Sequence, residues 1–143
     1  MKRSIIILLL AVMCFAGCKT KKNVIVNVRP EFDIDVVWTL SAMRDKEMVY
    51  DDGQPKVTLQ VNPEAGTING KNGCNRYFGN IKILDDRKME LSEIGSTKMA
   101  CPESMRKVES SFMQLLRKCD RYELDAESLR LMQGDKVLLT FIR

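Results

Sequence analysis

Five cysteines and no histidine set the range of chemistry open to this chain of 143 residues. Cys18 has the most informative context. Lys2 and Arg3 precede an apolar run from Ile5 to Phe15 that is too short to span a bilayer stably. Ala16 and Gly17 then set small residues directly before Cys18. A positive segment, a short apolar segment and small residues before a cysteine form the layout of a bacterial lipoprotein export signal. The layout predicts cleavage before Cys18 and lipid attachment to it. Residues 1–17 are then the signal, and residues 18–35 a lipid-anchored tether. Cys14 fits this role less well because Val12 and Met13 precede it. Lys19 follows the lipid cysteine, where no aspartate marks retention in the inner membrane, so the expected location is the outer membrane. The segment after Cys18 is basic rather than acidic, which favours the periplasmic face.

The absence of histidine removes Ser-His-Asp and Cys-His catalysis, HExxH zinc chemistry and imidazole acid–base work. Carboxylates such as Glu103 or Glu109, a lone thiol, or Lys and Tyr would have to carry any reaction. The expectation is a protein that is not an enzyme and that uses no cofactor. After processing, Cys74, Cys101 and Cys119 remain, and in an oxidising compartment two of them should pair. Cys119 falls on the apolar stripe of a predicted helix and reads as a buried thiol. Cys74 and Cys101 both sit in turn-like segments, which suits a staple between loops. An unstrained link of that span would contribute about 3 kcal/mol. The cysteine spacings contain no CxxC, so no metal site is expected.

The formal charge of +4 overstates the basic balance. Two of the 23 basic side chains leave with the signal, so 21 face 19 acidic ones in the 126 residues from Cys18 onward. That surplus is too small to imply nucleic acid. A hydrophobic content of 45% with 29% charged residues is that of one globular domain with a real core.

The elements that must position these residues are legible from periodicity. The tether is interrupted at Arg29-Pro30-Glu31, though residues 24–28 carry a short apolar run, and the compact domain is expected from Val36 onward. Val36 to Leu40 reads as a strand, with Trp38 as a core anchor. Val57, Leu59 and Val61 alternate with polar residues, the period of a half-buried strand. Asn62 to Gly66 is a turn, and Thr67-Ile68 opens a short strand. Tyr77 to Leu84 and Lys88 to Ile94 are two more strands. Met105, Val108, Phe112, Leu115, Leu116 and Cys119 recur at spacings of three and four, which predicts an amphipathic helix. Pro102 and Glu103 suit its first turn, and Arg117 and Lys118 its C-terminus. Tyr122-Leu124, Leu129-Leu131 and Lys136 to Ile142 complete the strands, with a turn at Gln133-Gly134-Asp135. Met89, Met99, Met105, Met113 and Met132 read as core. The sum is an α+β fold, a curved antiparallel sheet packed by one main helix.

Two segments stand apart. Asn69 to Gly79 is dense in glycine and asparagine around Cys74, and Ser96 to Glu103 surrounds Cys101. A GCNxYxG segment followed by a TxMAC segment resembles the META-domain family, the HslJ-like heat-shock lipoproteins of bacterial envelopes. Trp38-Thr39-Leu40, Glu109 with Phe112 and Leu115, and Leu129-Leu131 are similar to the rest of its pattern, so the resemblance spans residues 36–143. It implies a small α+β domain, often lipid-anchored, in which Cys74 and Cys101 match a recurrent disulfide pair. It also implies association with stress and drug tolerance, and it supplies no catalytic residue.

If the disulfide forms, the two loops meet and bring Asn72, Asn75, Arg76, Thr97 and Lys98 into one neighbourhood. These five residues are either turn-forming and solvated surface residues or a polar recognition patch in which Arg76 holds an acidic group. Two functions follow as expectations. One is a binding or assembly module for an envelope protein partner. The other is a carrier of a small hydrophobic ligand or lipid in a cavity between sheet and helix, lined by residues such as Phe112, Leu115 and Met89.

Overall fold

The computed structural model describes residues 32, 33, 36–84 and 87–143. The expected signal, Cys18 and the tether up to residue 31 lie outside the described residues, as does the apolar run at 24–28. The elements run in the order β1 (Trp38–Met43), β2 (Lys46–Glu47), β3 (Thr58–Asn62), β4 (Thr67–Lys71), β5 (Arg76–Ile83), β6 (Met89–Ser96), α1 (Glu103–Leu116), β7 (Arg121–Leu124), β8 (Ser128–Gln133) and β9 (Lys136–Ile142). The strands form one antiparallel sheet in the spatial order β6-β5-β4-β3-β1-β9-β8-β7, with β2 paired to β1. The fold is α+β, as the periodicities predict.

Alternation makes the sheet two-faced. Along β5, Tyr77 and Ile81 point inward and Arg76, Phe78 and Lys82 outward. Leu59 and Val61 of β3 and Leu138, Leu139 and Phe141 of β9 join the same core. The sheet is strongly curved. The ring of Phe112 on α1 lies 5.2 Å from Tyr77 of β5 and 6.4 Å from Phe141 of β9. Three strands separate β5 from β9 in the sheet, so both can touch one ring only if the sheet wraps around the helix. Register shifts at Phe78/Asn80, Leu40/Ala42 and Leu131/Met132 add the local twist that such wrapping needs. The two ends of the sheet meet at one point, where Lys88 bridges Arg121 and Met89 N–H donates to Asp120 O at 2.9 Å.

Helix α1 buries Phe112, Met113, Leu115 and Leu116. Burial of a side chain of this size stabilises the fold by about 1.5–3 kcal/mol, so the helix is held by packing more than by its ends. Pro102 stands at the N-cap, one position before the helix, and supplies no side-chain hydrogen bond. Glu103 instead pairs with Lys107 one turn later, at 2.9 Å. Arg117 and Lys118 lie just beyond the last turn, and Arg117 Nη1 donates to Met113 O at 3.3 Å.

Several features differ from the sequence reading. Helix α1 ends at Leu116, so Cys119, expected on its apolar stripe, lies beyond it, though buried. Phe32, assigned to the tether, is buried and packs against Tyr122 with ring centroids 5.0 Å apart, so the core reaches back past residue 36. Strand β2 closes a tight hairpin with β1 through Arg44-Asp45, and Arg44 takes a left-handed φ of 53° that its residue type does not announce. Strand β4 continues through Asn69-Gly70-Lys71, which composition marks as turn. A Cβ on Gly70 would run into the carbonyl of Thr58, the oxygen that accepts the Tyr77 hydroxyl at 2.8 Å. Glycine serves here for close approach, not for turning. Met89, Met113 and Met132 are core, whereas Met105 is half-buried and Met99 is 65% exposed.

Candidate functional site

The Gly- and Asn-rich loop between β4 and β5 turns at Gly73, whose φ of 104° is open to glycine and costly for other residues. Asn72 N–H donates to Asn75 O at 2.9 Å, and Asn75 N–H donates to the Asn72 side-chain oxygen at 2.9 Å. The turn is therefore closed by both main chain and side chain. Cys74 lies between these residues and is disulfide-bonded to Cys101, with Cα atoms 6.2 Å apart. The bond ties this loop to the segment that enters α1.

A polar network centred on two buried asparagines lies beside the disulfide. Glu109 of α1 accepts from Asn72 Nδ2 at 3.2 Å, Asn75 Nδ2 at 2.9 Å and Ser96 Oγ at 3.3 Å. Asn72 Nδ2 also donates to Ser96 Oγ at 3.0 Å. Asn75 Oδ1 accepts from Thr97 Oγ1 at 3.0 Å and from Met99 N–H at 2.8 Å. Thr97 continues the ladder, donating its N–H to Arg76 O at 2.9 Å and accepting Arg76 N–H on its hydroxyl at 3.2 Å. Four segments thus converge on two asparagines that are 0% and 4% exposed. Buried amides must find partners, and these find theirs inside the protein.

The five residues of the expected patch come together, but they do not present one surface. Asn72 and Asn75 turn inward to Glu109, and the Thr97 hydroxyl bonds to Asn75. Of the five, Arg76 and Lys98 carry their charged side chains at the surface. The residues absent from that patch are Glu109 and Ser96. A sequence signal for Glu109 exists: it occupies the helix face of Met105, Phe112 and Leu116, where a carboxylate needs an internal partner.

The carboxylates considered for catalysis take different settings. Glu103 is exposed and paired with Lys107, and Glu109 is held among amide and hydroxyl donors. Among the described residues, no three or more Cys, Asp or Glu side chains stand close enough to hold a metal ion. Cys119 is buried, and burial together with neighbouring Asp120 pushes its thiol up to about 12. Burial likewise raises the Tyr77 hydroxyl well above its ordinary value.

The space between sheet and helix is occupied. Phe112, Leu115 and Met89, expected to line a ligand cavity there, pack into the common core cluster with Tyr77, Leu116 and Phe141. Open volume lies instead on the flank of α1. A cavity of about 120 Å³ is lined by Met48, Val49, Tyr50, Pro55, Gly73 and Met105. A second, of about 360 Å³, is lined by Met43, Arg44, Lys46, Lys107, Ser111 and Leu115. Val108 borders both, so the two adjoin.

A family model described as the META domain matches residues 33–143. The chain belongs to the META domain family. The match begins next to Phe32, the first buried residue among the described ones. The META domain is similar to a protein from Burkholderia xenovorans whose structure was determined by NMR, at 27% identity and a TM-score of 0.60 over 81% of this chain and 92% of that one. A second protein with an NMR structure is 21% identical, with a TM-score of 0.53 over 74% of this chain and 86% of that one, and shares the fold. No curated protein matches the chain significantly.

Proposed function

We propose that this META domain is a non-enzymatic binding or assembly module of the HslJ-like kind, held by a lipid on Cys18 at the periplasmic face of the outer membrane and serving envelope stress or drug tolerance. One observation carries the reading. The polar side chains at the two motif segments and the facing helix, Asn72, Asn75, Ser96 and Glu109, bond to one another and hold the loops to the helix. Their chemistry is spent on the fold, and what the domain offers a partner is the surface around that clamp. A disulfide at the clamp also suits an oxidising envelope.

The test is in-cell photocrosslinking from surface positions around α1, followed by membrane fractionation of wild type and Cys18→Ala. Discrete crosslinks to an envelope protein, together with release of Cys18→Ala into the soluble fraction, are the expected result. A variant that still sediments with membranes would overturn the anchor. Cells without a discrete crosslink from any of these positions would overturn the module.

A further inference from the structure

The two adjoining cavities beside α1 differ in chemistry. The smaller is mainly apolar, with Met48, Tyr50, Pro55 and Met105 in its walls. Its volume of about 120 Å³ is that of a single side chain; roughly 150 Å³ is enough to take a benzene ring. At its rim Val49 is 82% exposed, the most exposed large apolar side chain of the described residues. The larger cavity has an apolar floor of Met43, Val108 and Leu115, and its charged lining residues are Arg44, Lys46 and Lys107, all cations. Asp45 and Glu47 belong to the same hairpin but do not line it. Lys107 has Glu103 at 2.9 Å, yet both side chains are exposed, and an exposed pair of this kind holds its lysine weakly. Arg44 keeps a left-handed backbone at a turn position that glycine or asparagine fills at lower strain.

We propose that this groove, between the β1–β2 hairpin and α1, is a docking site for a short acidic segment of a partner protein. One apolar side chain of that segment enters the slot beside Met48 and Met105. Adjacent carboxylates lie among Arg44, Lys46 and Lys107. The proposal rests on the reading of the domain as a binding module and gives that module a surface and a partner chemistry. The slot is too short for a long acyl chain and matches the anchor-in-a-pocket arrangement of protein interfaces. Three cations without a lining carboxylate supply the complementary charge that steers and orients an acidic partner.

The test uses the full chain in phosphatidylcholine nanodiscs and a fluorescein-labelled peptide, Gly-Leu-Asp-Glu-Asp-Gly, read by anisotropy. Binding is expected to weaken about tenfold when the peptide leucine becomes serine or its acids become amides, the factor for one charge-assisted hydrogen bond or one anchor. The Lys46→Gln/Lys107→Gln double variant should show the same loss. Arg44→Gly is the decisive variant. It removes the guanidinium where the backbone already suits glycine, so the urea midpoint should hold or rise while affinity falls. No binding, or binding indifferent to these changes, overturns the proposal. So does binding of decanoate in place of the peptide, which would make the groove a small-amphiphile site. Envelope crosslinks that persist in the double variant would overturn the groove and leave the module reading standing.

Discussion

Replacement of Glu109 by alanine tests whether the asparagine network holds the fold. The carboxylate accepts three hydrogen bonds, two from buried amides and one from Ser96. Without it, Asn75 Nδ2 keeps only the Cys101 sulfur at 3.7 Å, while Asn72 Nδ2 keeps Ser96 Oγ. A hydrogen bond to a charged acceptor contributes about 1.5–3 kcal/mol, and a buried donor left unpaired costs about 1–3 kcal/mol. Three lost bonds are not additive. Glu109 also borders an open depression with Arg106 and Arg117, through which water can reach the vacated site. The expected loss is therefore about 2–4 kcal/mol, which lowers Tm by roughly 8–17 °C in a domain of this size. Trp38 is the single tryptophan and is buried, so its fluorescence reports urea unfolding directly. Glu109→Gln keeps one acceptor but sets an amide donor against the asparagine donors, and its loss should fall between alanine and wild type. A Glu109→Ala midpoint that corresponds to less than about 1 kcal/mol, at unchanged m, would refute the network as a clamp.

Gly70→Ala should destabilise the domain by about 1–3 kcal/mol, because the added Cβ meets the Thr58 carbonyl and displaces the Tyr77 hydroxyl; an unchanged urea midpoint would contradict this. Cys101→Ser should cost about 3 kcal/mol in non-reducing buffer, and wild type should lose a similar amount on reduction; a smaller loss in both would place the loop constraint in the network alone. Asp125 accepts from Ser128 Oγ, Glu127 N–H and Ser128 N–H, which lowers its carboxyl below the usual value. A depressed folded value supports the β7–β8 turn above the ordinary carboxylate range and loses that support as pH falls through the folded value. NMR titration should show Asp125 moving back up in Ser128→Ala, and no movement would reject the assignment. Cys119, raised to about 12, should resist iodoacetamide at pH 8 in the folded chain and react once urea unfolds it; peptide mapping that finds it alkylated in the native state would contradict its burial.

Where one face of an element meets the core, its residues repeat with the period of that element, and the sequence reveals it. Leu59 and Val61 of β3, Tyr77 and Ile81 of β5 and the α1 stripe are legible for this reason. Phe32 was hidden because Arg29-Pro30-Glu31 reads as a break, and nothing local points to its partner Tyr122 ninety positions on. Strand β2 was hidden because Arg44 carries the positive φ that composition assigns to glycine. The motif loops were legible as a pair of cysteine segments, but not the direction in which their asparagines face. That direction is set by Glu109 on a separate element: the helix period marks Glu109 as needing an internal partner, but it does not say which residues supply one.

The clamp and the proposed groove share a wall. Gly73, between Asn72 and Cys74, lines the apolar cavity, and Val108, next to Glu109, borders both cavities. Every bond that fixes Glu109 to Asn72 and Asn75 therefore also fixes α1 against the loop that forms one side of the groove. A groove whose width is set before binding spares its partner the cost of ordering it. On this reading the asparagines act one step behind the contact surface. They hold the spacing between Gly73 and Met105, while Arg44, Lys46 and Lys107 meet the partner. The two sets should then separate by experiment. Loss of Glu109 lowers stability and affinity together, whereas loss of the exposed cations lowers affinity alone.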